Sequence, residues 1–178
     1  MRRVCVFAGA NPGQDPAFLA AARALGTELG KRGIGLVYGG TSIGLMGACA
    51  DAALAAGSEV QGVLPRLLTG REIAHQGITE LRIVHSLAER KSVMMALSDV
   101  FVALPGGFGT LDELFEAITL RQLQKLDAPI GLLNVSGYFG HLLAFLEHGA
   151  AQGLIPGELQ RALVVREDAA ALLDALLA

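Results

Sequence analysis

The 178-residue sequence has few charged residues, and no long basic run is present. Asp, Glu, Lys and Arg together make up 17% of the chain, and the net charge is −3. We therefore expect no nucleic-acid polymer as a partner, because binding to a phosphate backbone requires clustered positive charge. The chain also lacks a run of about 18 unbroken apolar residues, so neither a membrane span nor a membrane partner is expected.

Cysteines and histidines are scarce, and they show no metal-ligand spacing. Cys5 lies in an apolar segment that is predicted to be a strand, and Cys49 lies in an alanine-rich segment that is predicted to be a helix. The two form no CxxC pair, and buried free thiols are expected, as is typical of a reducing compartment. The apolar run of about six residues near the first residues is too short for a signal-peptide core. The sequence predicts a cytoplasmic protein without a metal site.

Apolar residues are abundant at 52%, which at this length predicts one domain over residues 1–178 with a substantial core. Short runs of Val, Ile and Leu alternate with segments of helical periodicity, a pattern that predicts a doubly wound α/β fold with parallel strands and helices on both faces. The low fraction of charged residues and the positive mean hydropathy also predict that some apolar surface is buried between subunits.

The element boundaries follow from glycine, proline and the apolar spacing. Strands are predicted at residues 4–8, 34–38, 59–64, 78–84, 99–104, 129–133 and 163–165. Helices are predicted at residues 18–31, 45–56, 87–97, 111–126, 138–152 and 168–177. Ligands of such folds bind beyond the carboxyl ends of the strands. A central glycine turn, a second glycine turn at residues 39–44 and the loop after Gly9 are expected to meet there.

The central glycine turn, LPGGFGTLDE at residues 104–113, joins a predicted strand to a predicted helix. Such a turn is a common phosphate site, because helix N-termini offer free N–H groups and partial positive charge. Asp112, Glu113 and Glu116 crowd the first turns of this helix, and the helix dipole is expected to keep Glu113 ionised. Thr110 and Glu113 also have the spacing of a capping box, which offers a structural explanation for the same pair.

Arg90 is the second candidate residue. On the predicted helix 87–97 it shares the apolar stripe with Met94 and Leu97, where a guanidinium group requires a partner. Two interpretations stay open. Arg90 either forms a buried structural ion pair, or it is a cation held at the crevice for a phosphate or a carboxylate.

Arg90, Lys91 and Met94, followed by residues 105–113, resemble the R-K-x-x-M … P-G-G-x-G-T-x-x-E signature of the LOG ("lonely guy") family. Members are cytokinin riboside 5′-monophosphate phosphoribohydrolases, many once labelled lysine decarboxylases. The resemblance extends to residues 6–9, 38–47 and 131–138. The chain departs from residues common in the family at Thr41, Leu87, Ala88 and Leu120.

The resemblance implies a Rossmann-like homodimer with its active site near the subunit interface. It implies hydrolysis of the N-glycosidic bond of AMP or N6-substituted adenine nucleotides to free base and ribose 5-phosphate, with no metal and no organic cofactor. Arg90 and Glu113 match the catalytic pair of the family. The implied contacts to the nucleoside monophosphate are Gly39, Gly40, Glu72, Lys91, Gly106, Gly107, Phe108, Gly109, Thr110, Leu111, Asp112 and Thr119.

Two other functions are compatible with a nucleotide-binding α/β fold. The first is a carrier that binds a nucleotide or the molybdenum cofactor without hydrolysis. The second is a pyridoxal-phosphate decarboxylase, which requires a lysine for a Schiff base. Lys91 is the only central candidate for that lysine.

Overall fold

The strands are short apolar segments, and most are buried along their whole length because helices cover both faces of the sheet. The computed structural model describes residues 2–69, 73–158 and 162–178. Within these residues the strands are β1 Arg3–Phe7, β2 Gly35–Tyr38, β3 Val60–Pro65, β4 Glu80–Val84, β5 Val100–Ala103, β6 Ile130–Leu133 and β7 Leu163–Arg166. They form one sheet in the order β4-β3-β2-β1-β5-β6-β7. Every neighbouring pair is parallel.

Helices follow the strands and pack on both faces of the sheet. The described helices are α1 Pro16–Lys31, α2 Gly44–Ala55, α3 Arg66–Thr69, α4 Leu87–Ala96, α5 Phe108–Gln122, α6 Gly140–Ala151 and α7 Ala169–Leu177. One face is covered by α1, α2 and α7, and the other by α4, α5 and α6. The side chains of β1 alternate accordingly, with Val4 and Val6 in the first core cluster and Cys5 and Phe7 in the second. The predicted doubly wound α/β fold is confirmed.

The sheet reverses its order of growth at β1. From there the chain adds β2, β3 and β4 on one side, and then returns to add β5, β6 and β7 on the other. The gap between the loops that leave β1 and β5 is the place where doubly wound folds bind ligands.

Two predicted helices have wrong boundaries. α5 was expected at residues 111–126 but begins at Phe108, with Gly107 as its N-cap, and ends before Gln124, whose φ of 55° is left-handed. Thr110 therefore lies inside the helix, and the predicted capping box with Glu113 does not form. α6 begins at Gly140 rather than at residue 138, because Ser136 and Gly137 have left-handed φ angles of 51° and 70° in a preceding 3₁₀ turn.

Both thiols are free and buried, as predicted. Burial in apolar surroundings raises the pKa of Cys49 to about 12, and burial likewise raises the pKa of Cys5. Among the described helices, none combines the length and the apolar character that crossing a bilayer demands.

Candidate functional site

A cavity of about 370 Å³ opens at the carboxyl ends of β1 and β5. It lies at the edge of the sheet where the sequence predicted a ligand crevice, and its volume falls in the range of small-molecule sites. Three segments form most of its wall: the loop at residues 8–13 after β1, the N-terminus of α2, and the glycine turn before α5. The Gly9 loop and the central turn are tied together, since the N–H of Gly9 donates to the carbonyl of Pro105 at 3.1 Å.

Arg90 and Glu113 meet in the wall of this cavity. Nη1 of Arg90 donates to Oε1 of Glu113 at 2.6 Å, and Nε of Arg90 donates to the carbonyl of Val63 at 2.9 Å. Only 12% of the arginine side chain and 7% of the glutamate side chain are exposed. Both interpretations of Arg90 therefore apply, because its guanidinium group forms a buried ion pair and also borders the cavity.

Burial raises the pKa of Glu113, while the positive charge of Arg90 opposes this shift. The helix dipole is not what keeps Glu113 ionised, contrary to the expectation from the sequence. Since α5 begins at Phe108, Glu113 lies in its second turn, beyond the reach of the first-turn N–H groups. A buried carboxylate with a raised pKa is a stronger base than an exposed one.

The glycine turn leaves the N-terminus of α5 open. Gly107 is the N-cap and offers no side chain to the first turn, and the helical bonding of this end starts with the N–H of Leu111 donating to Gly107 at 3.1 Å. The N–H groups of Phe108, Gly109 and Thr110 precede this first donor, so they have no acceptor within the helix. The side chain of Thr110 packs directly against Gly106, where a Cβ would lie 2.0 Å from Oγ1 of Thr110. This end of α5 is suited to an anion.

The second glycine turn has different surroundings. The N–H groups of Leu45 and Met46 at the start of α2 both point to the carbonyl of Gly9, at 3.0 and 3.4 Å. Gly39 and Gly40 are buried and do not border the cavity. A Cβ on Gly39 would lie 2.0 Å from Nη2 of Arg90, so this glycine leaves room for the guanidinium group.

Comparison with known proteins agrees with the motif. Residues 46–176 match the family described as "Possible lysine decarboxylase". The chain is 49% identical over 162 residues to the probable cytokinin riboside 5′-monophosphate phosphoribohydrolase LOGL1 of Oryza sativa subsp. japonica, covering 91% of this chain and 73% of the relative. The chain belongs to the LOG family. The LOG-family protein is also 47% identical over 154 residues to LOG1 of Arabidopsis thaliana, covering 86% and 72% of the two chains. Since these relatives are named as phosphoribohydrolases, the family is one of hydrolases, and this protein is a hydrolase.

Solved structures share the fold of this LOG-family protein. The molybdenum cofactor carrier protein of Chlamydomonas reinhardtii aligns with a TM-score of 0.73 at 24% identity, over 99% of this chain and 98% of that chain. The molybdenum cofactor binding protein of Rippkaea orientalis aligns with a TM-score of 0.72 at 21% identity, over 99% and 98% of the chains. At such identities the likeness shows the Rossmann-like fold alone.

Some predicted contact residues of the LOG-family protein lie away from the cavity. Nζ of Lys91 binds Asp112 at 3.0 Å and also Glu116, which accounts for the acidic crowding on α5. Phe108 is 92% exposed, Thr119 is exposed about three turns further along α5, and Leu111 is half-buried. Glu72 lies outside the described residues. Of the predicted residues, the cavity wall contains Arg90, Gly106, Gly107, Gly109, Thr110 and Glu113.

The cavity wall also contains Phe18, Met46 and Tyr138, none of which is among the contact residues that the sequence predicts. Phe18 lies in the first turn of α1, Met46 opens α2, and Tyr138 precedes α6. One signal was available for Tyr138, because it follows the end of β6 and so belongs to the same edge of the sheet as the glycine turns.

Proposed function

We propose that this LOG-family protein hydrolyses the N-glycosidic bond of adenine-type nucleoside 5′-monophosphates, releasing the free base and ribose 5-phosphate. The observation that carries the proposal is the buried pair of Arg90 and Glu113 in a cavity that also holds the open N-terminus of α5. Support comes from the curated relatives, which are named for this hydrolysis of cytokinin riboside monophosphates.

Glu113 is the proposed catalytic carboxylate. Cleavage of an N-glycosidic bond passes through a transition state with positive charge on the ribose ring, as in other glycosides. The water oxygen bonds to C1′, the C1′–N bond breaks, and its electron pair leaves with the base. The base then takes up one proton, from the protonated Glu113 or from solvent, which balances the proton that the water loses. Glu113 stabilises the ring charge and accepts the proton of the water, a role favoured by the raised pKa of its buried carboxyl group.

Arg90 and the glycine turn are proposed to hold the substrate and the carboxylate in place. Arg90 fixes one oxygen of Glu113 and supplies positive charge near the departing base. The free N–H groups at the start of α5 bind the 5′-phosphate, whose binding energy is spent on orienting the reacting centre. The charges in this scheme are met by side chains and backbone groups, and the scheme invokes neither a metal nor an organic cofactor.

The test is the release of base from AMP and from isopentenyladenosine monophosphate, with ribose 5-phosphate measured in parallel. Glu113→Gln keeps the size of the side chain and can still accept a hydrogen bond from Arg90, so the fold is expected to persist. Because it removes the base, we expect a loss of at least about 100-fold in rate. Glu147→Gln, at an exposed position of α6, is the matched control. Turnover near that of the wild type in Glu113→Gln contradicts the assignment.

A non-hydrolytic carrier is the second candidate, favoured by the fold shared with molybdenum cofactor carriers. It predicts tight binding of a nucleotide or cofactor without free base in the same assay. The decarboxylase alternative is disfavoured, because the hydrogen bond with Glu116 raises the pKa of Lys91, whereas a Schiff-base lysine requires a lowered one.

The proposal extends to a homodimer in the cytoplasm. A dimer is supported by apolar side chains that stay exposed beside the site, Phe108 above all. A cytoplasmic location is supported by two buried thiols that form no disulfide. Light scattering of the purified protein is expected to give about twice the chain mass of 18.5 kDa.

A further inference from the structure

Tyr138 contacts the glycine turn from the opposite wall of the cavity. Its hydroxyl donates to the carbonyl oxygen of Gly106 at 2.6 Å, a short bond for this pair of groups. The ring of Phe18 lies edge-to-face against the ring of Tyr138, with centroids 5.5 Å apart. Both aromatic residues border the cavity, so the tyrosine joins the wall formed by α1 to the turn that opens α5.

The backbone before Tyr138 is held in an uncommon conformation. Ser136 has a φ of 51°, which is rare for a residue other than glycine, and Gly137 follows with a φ of 70°. Oγ of Ser136 donates to Oδ2 of Asp15 at 2.8 Å, and Oδ1 of Asp15 accepts the N–H of Ala17 at 2.9 Å. The N–H of Ala17 and the Ser136 hydroxyl lower the pKa of Asp15, which keeps it an ionised acceptor. The N-cap of α1 therefore fixes the turn that presents the tyrosine.

The hydrogen bond has two effects on the glycine turn. A carbonyl oxygen carries partial negative charge, and an unpaired one at an anion site repels the anion. Tyr138 pairs this oxygen, which removes part of that repulsion. The peptide group is also planar and trans, so fixing the carbonyl of Gly106 directs the N–H of Gly107 to the opposite side. Glycines on both sides leave this peptide free to rotate without such a contact.

We infer that Tyr138 is a positioning residue for recognition of the 5′-phosphate, acting through the carbonyl of Gly106. The identity of the anion rests on the proposed function. The hydroxyl contributes to the affinity for ligands that carry the phosphate, and it contributes nothing to the affinity for the base alone.

The test is Tyr138→Phe, which removes the hydroxyl and keeps the aromatic packing. Titration calorimetry with ribose 5-phosphate is expected to show an affinity about three- to tenfold weaker than that of the wild type, as for the loss of one hydrogen bond. The affinity for adenine is expected to stay unchanged. Tyr38→Phe is the matched control. The hydroxyl of Tyr38 is buried and has no hydrogen-bond partner in the described part of the chain, so its removal should change neither affinity.

The outcomes separate this inference from the proposed reaction. If Tyr138→Phe and the wild type bind ribose 5-phosphate with equal affinity, the inference is overturned. It is also overturned if the variant loses the same factor of affinity for ribose 5-phosphate and for adenine, because that result indicates a general structural role. If the wild-type protein binds ribose 5-phosphate but releases no adenine from AMP, the proposed reaction is overturned. The affinity of Tyr138→Phe for ribose 5-phosphate then still decides the role of Tyr138. If the wild-type protein binds no ribose 5-phosphate, the inference about Tyr138 is overturned, and the release of base from AMP decides the reaction separately.

Discussion

Arg90 depends on a neighbour that has no side chain. Gly39 directly follows the last residue of β2, and a Cβ there would lie 2.0 Å from Nη2 of Arg90 and 2.8 Å from Sδ of Met46. Real Cβ atoms do not approach other heavy atoms this closely, so any larger residue displaces the arginine. Gly39 is therefore part of the packing that holds Arg90 against Glu113, whether or not it contacts a ligand.

Gly39→Ala is expected to reduce the release of base from AMP by more than tenfold. The added methyl group moves the guanidinium group away from Glu113 and leaves the buried carboxyl group without its partner, which is costly. The rate and the melting temperature are both measured. Gly140→Ala is the control, since a Cβ at that position in α6 meets no heavy atom within 4 Å. A Gly39→Ala variant with the wild-type rate would show that Arg90 tolerates displacement.

At the scale of elements, Lys91 links α4 to α5. Its ammonium group lies between the carboxylates of Asp112 and Glu116, one turn apart on α5, and only 16% of its side chain is exposed. The acidic crowding that the sequence shows on α5 is thus relieved by a residue of the preceding helix. Because Arg90 precedes Lys91, the same stretch of α4 places one cation in the cavity and the next at the helix interface.

Lys91→Gln is expected to lower the free energy of unfolding by about 1 kcal/mol, because two carboxylates four residues apart lose the charge between them. For a chain of this length that corresponds to a fall in melting temperature of about 2 to 4 °C. Lys125→Gln, at an exposed position after α5, is the control. The difference between the two variants should shrink at 1 M salt, where charges are screened. Equal melting temperatures at low salt would rule out a stabilising bridge.

The boundaries of α5 show how far local patterns determine an element. The sequence identifies the helix by its apolar spacing, but the Thr110–Glu113 pattern also fits a capping box and moves the predicted start three residues too late. The helix begins at Phe108, and Glu113 does not cap its first turn but is buried against Arg90, 23 residues earlier in the chain. A pattern read over four residues carries no information about that partner.

At the scale of the whole molecule, alternating strands and helices sufficed to predict the parallel sheet and the edge where the cavity lies. They did not predict that Phe18, Met46 and Tyr138 meet there. These residues lie in α1, in α2 and just before α6, which follow strands on both sides of β1, where the sheet order reverses. They meet only once the strands have assembled in their final order. Single-sequence periodicity gives the type of each element, whereas contacts between distant elements depend on the register of the assembled sheet.

The complete site predicts that a phosphate-bearing ligand stabilises the folded protein. A ligand that binds only the folded state at 100 times its dissociation constant adds about 2.7 kcal/mol, which raises the melting temperature of such a chain by about 5 to 10 °C. We expect AMP to produce this shift in Glu113→Gln, in which the nucleotide is not consumed. Adenosine, which lacks the phosphate, serves as the control and should produce a much smaller shift at the same concentration, because it cannot engage the N-terminus of α5. Equal shifts with AMP and adenosine would place the recognition energy in the base and ribose instead of the glycine turn.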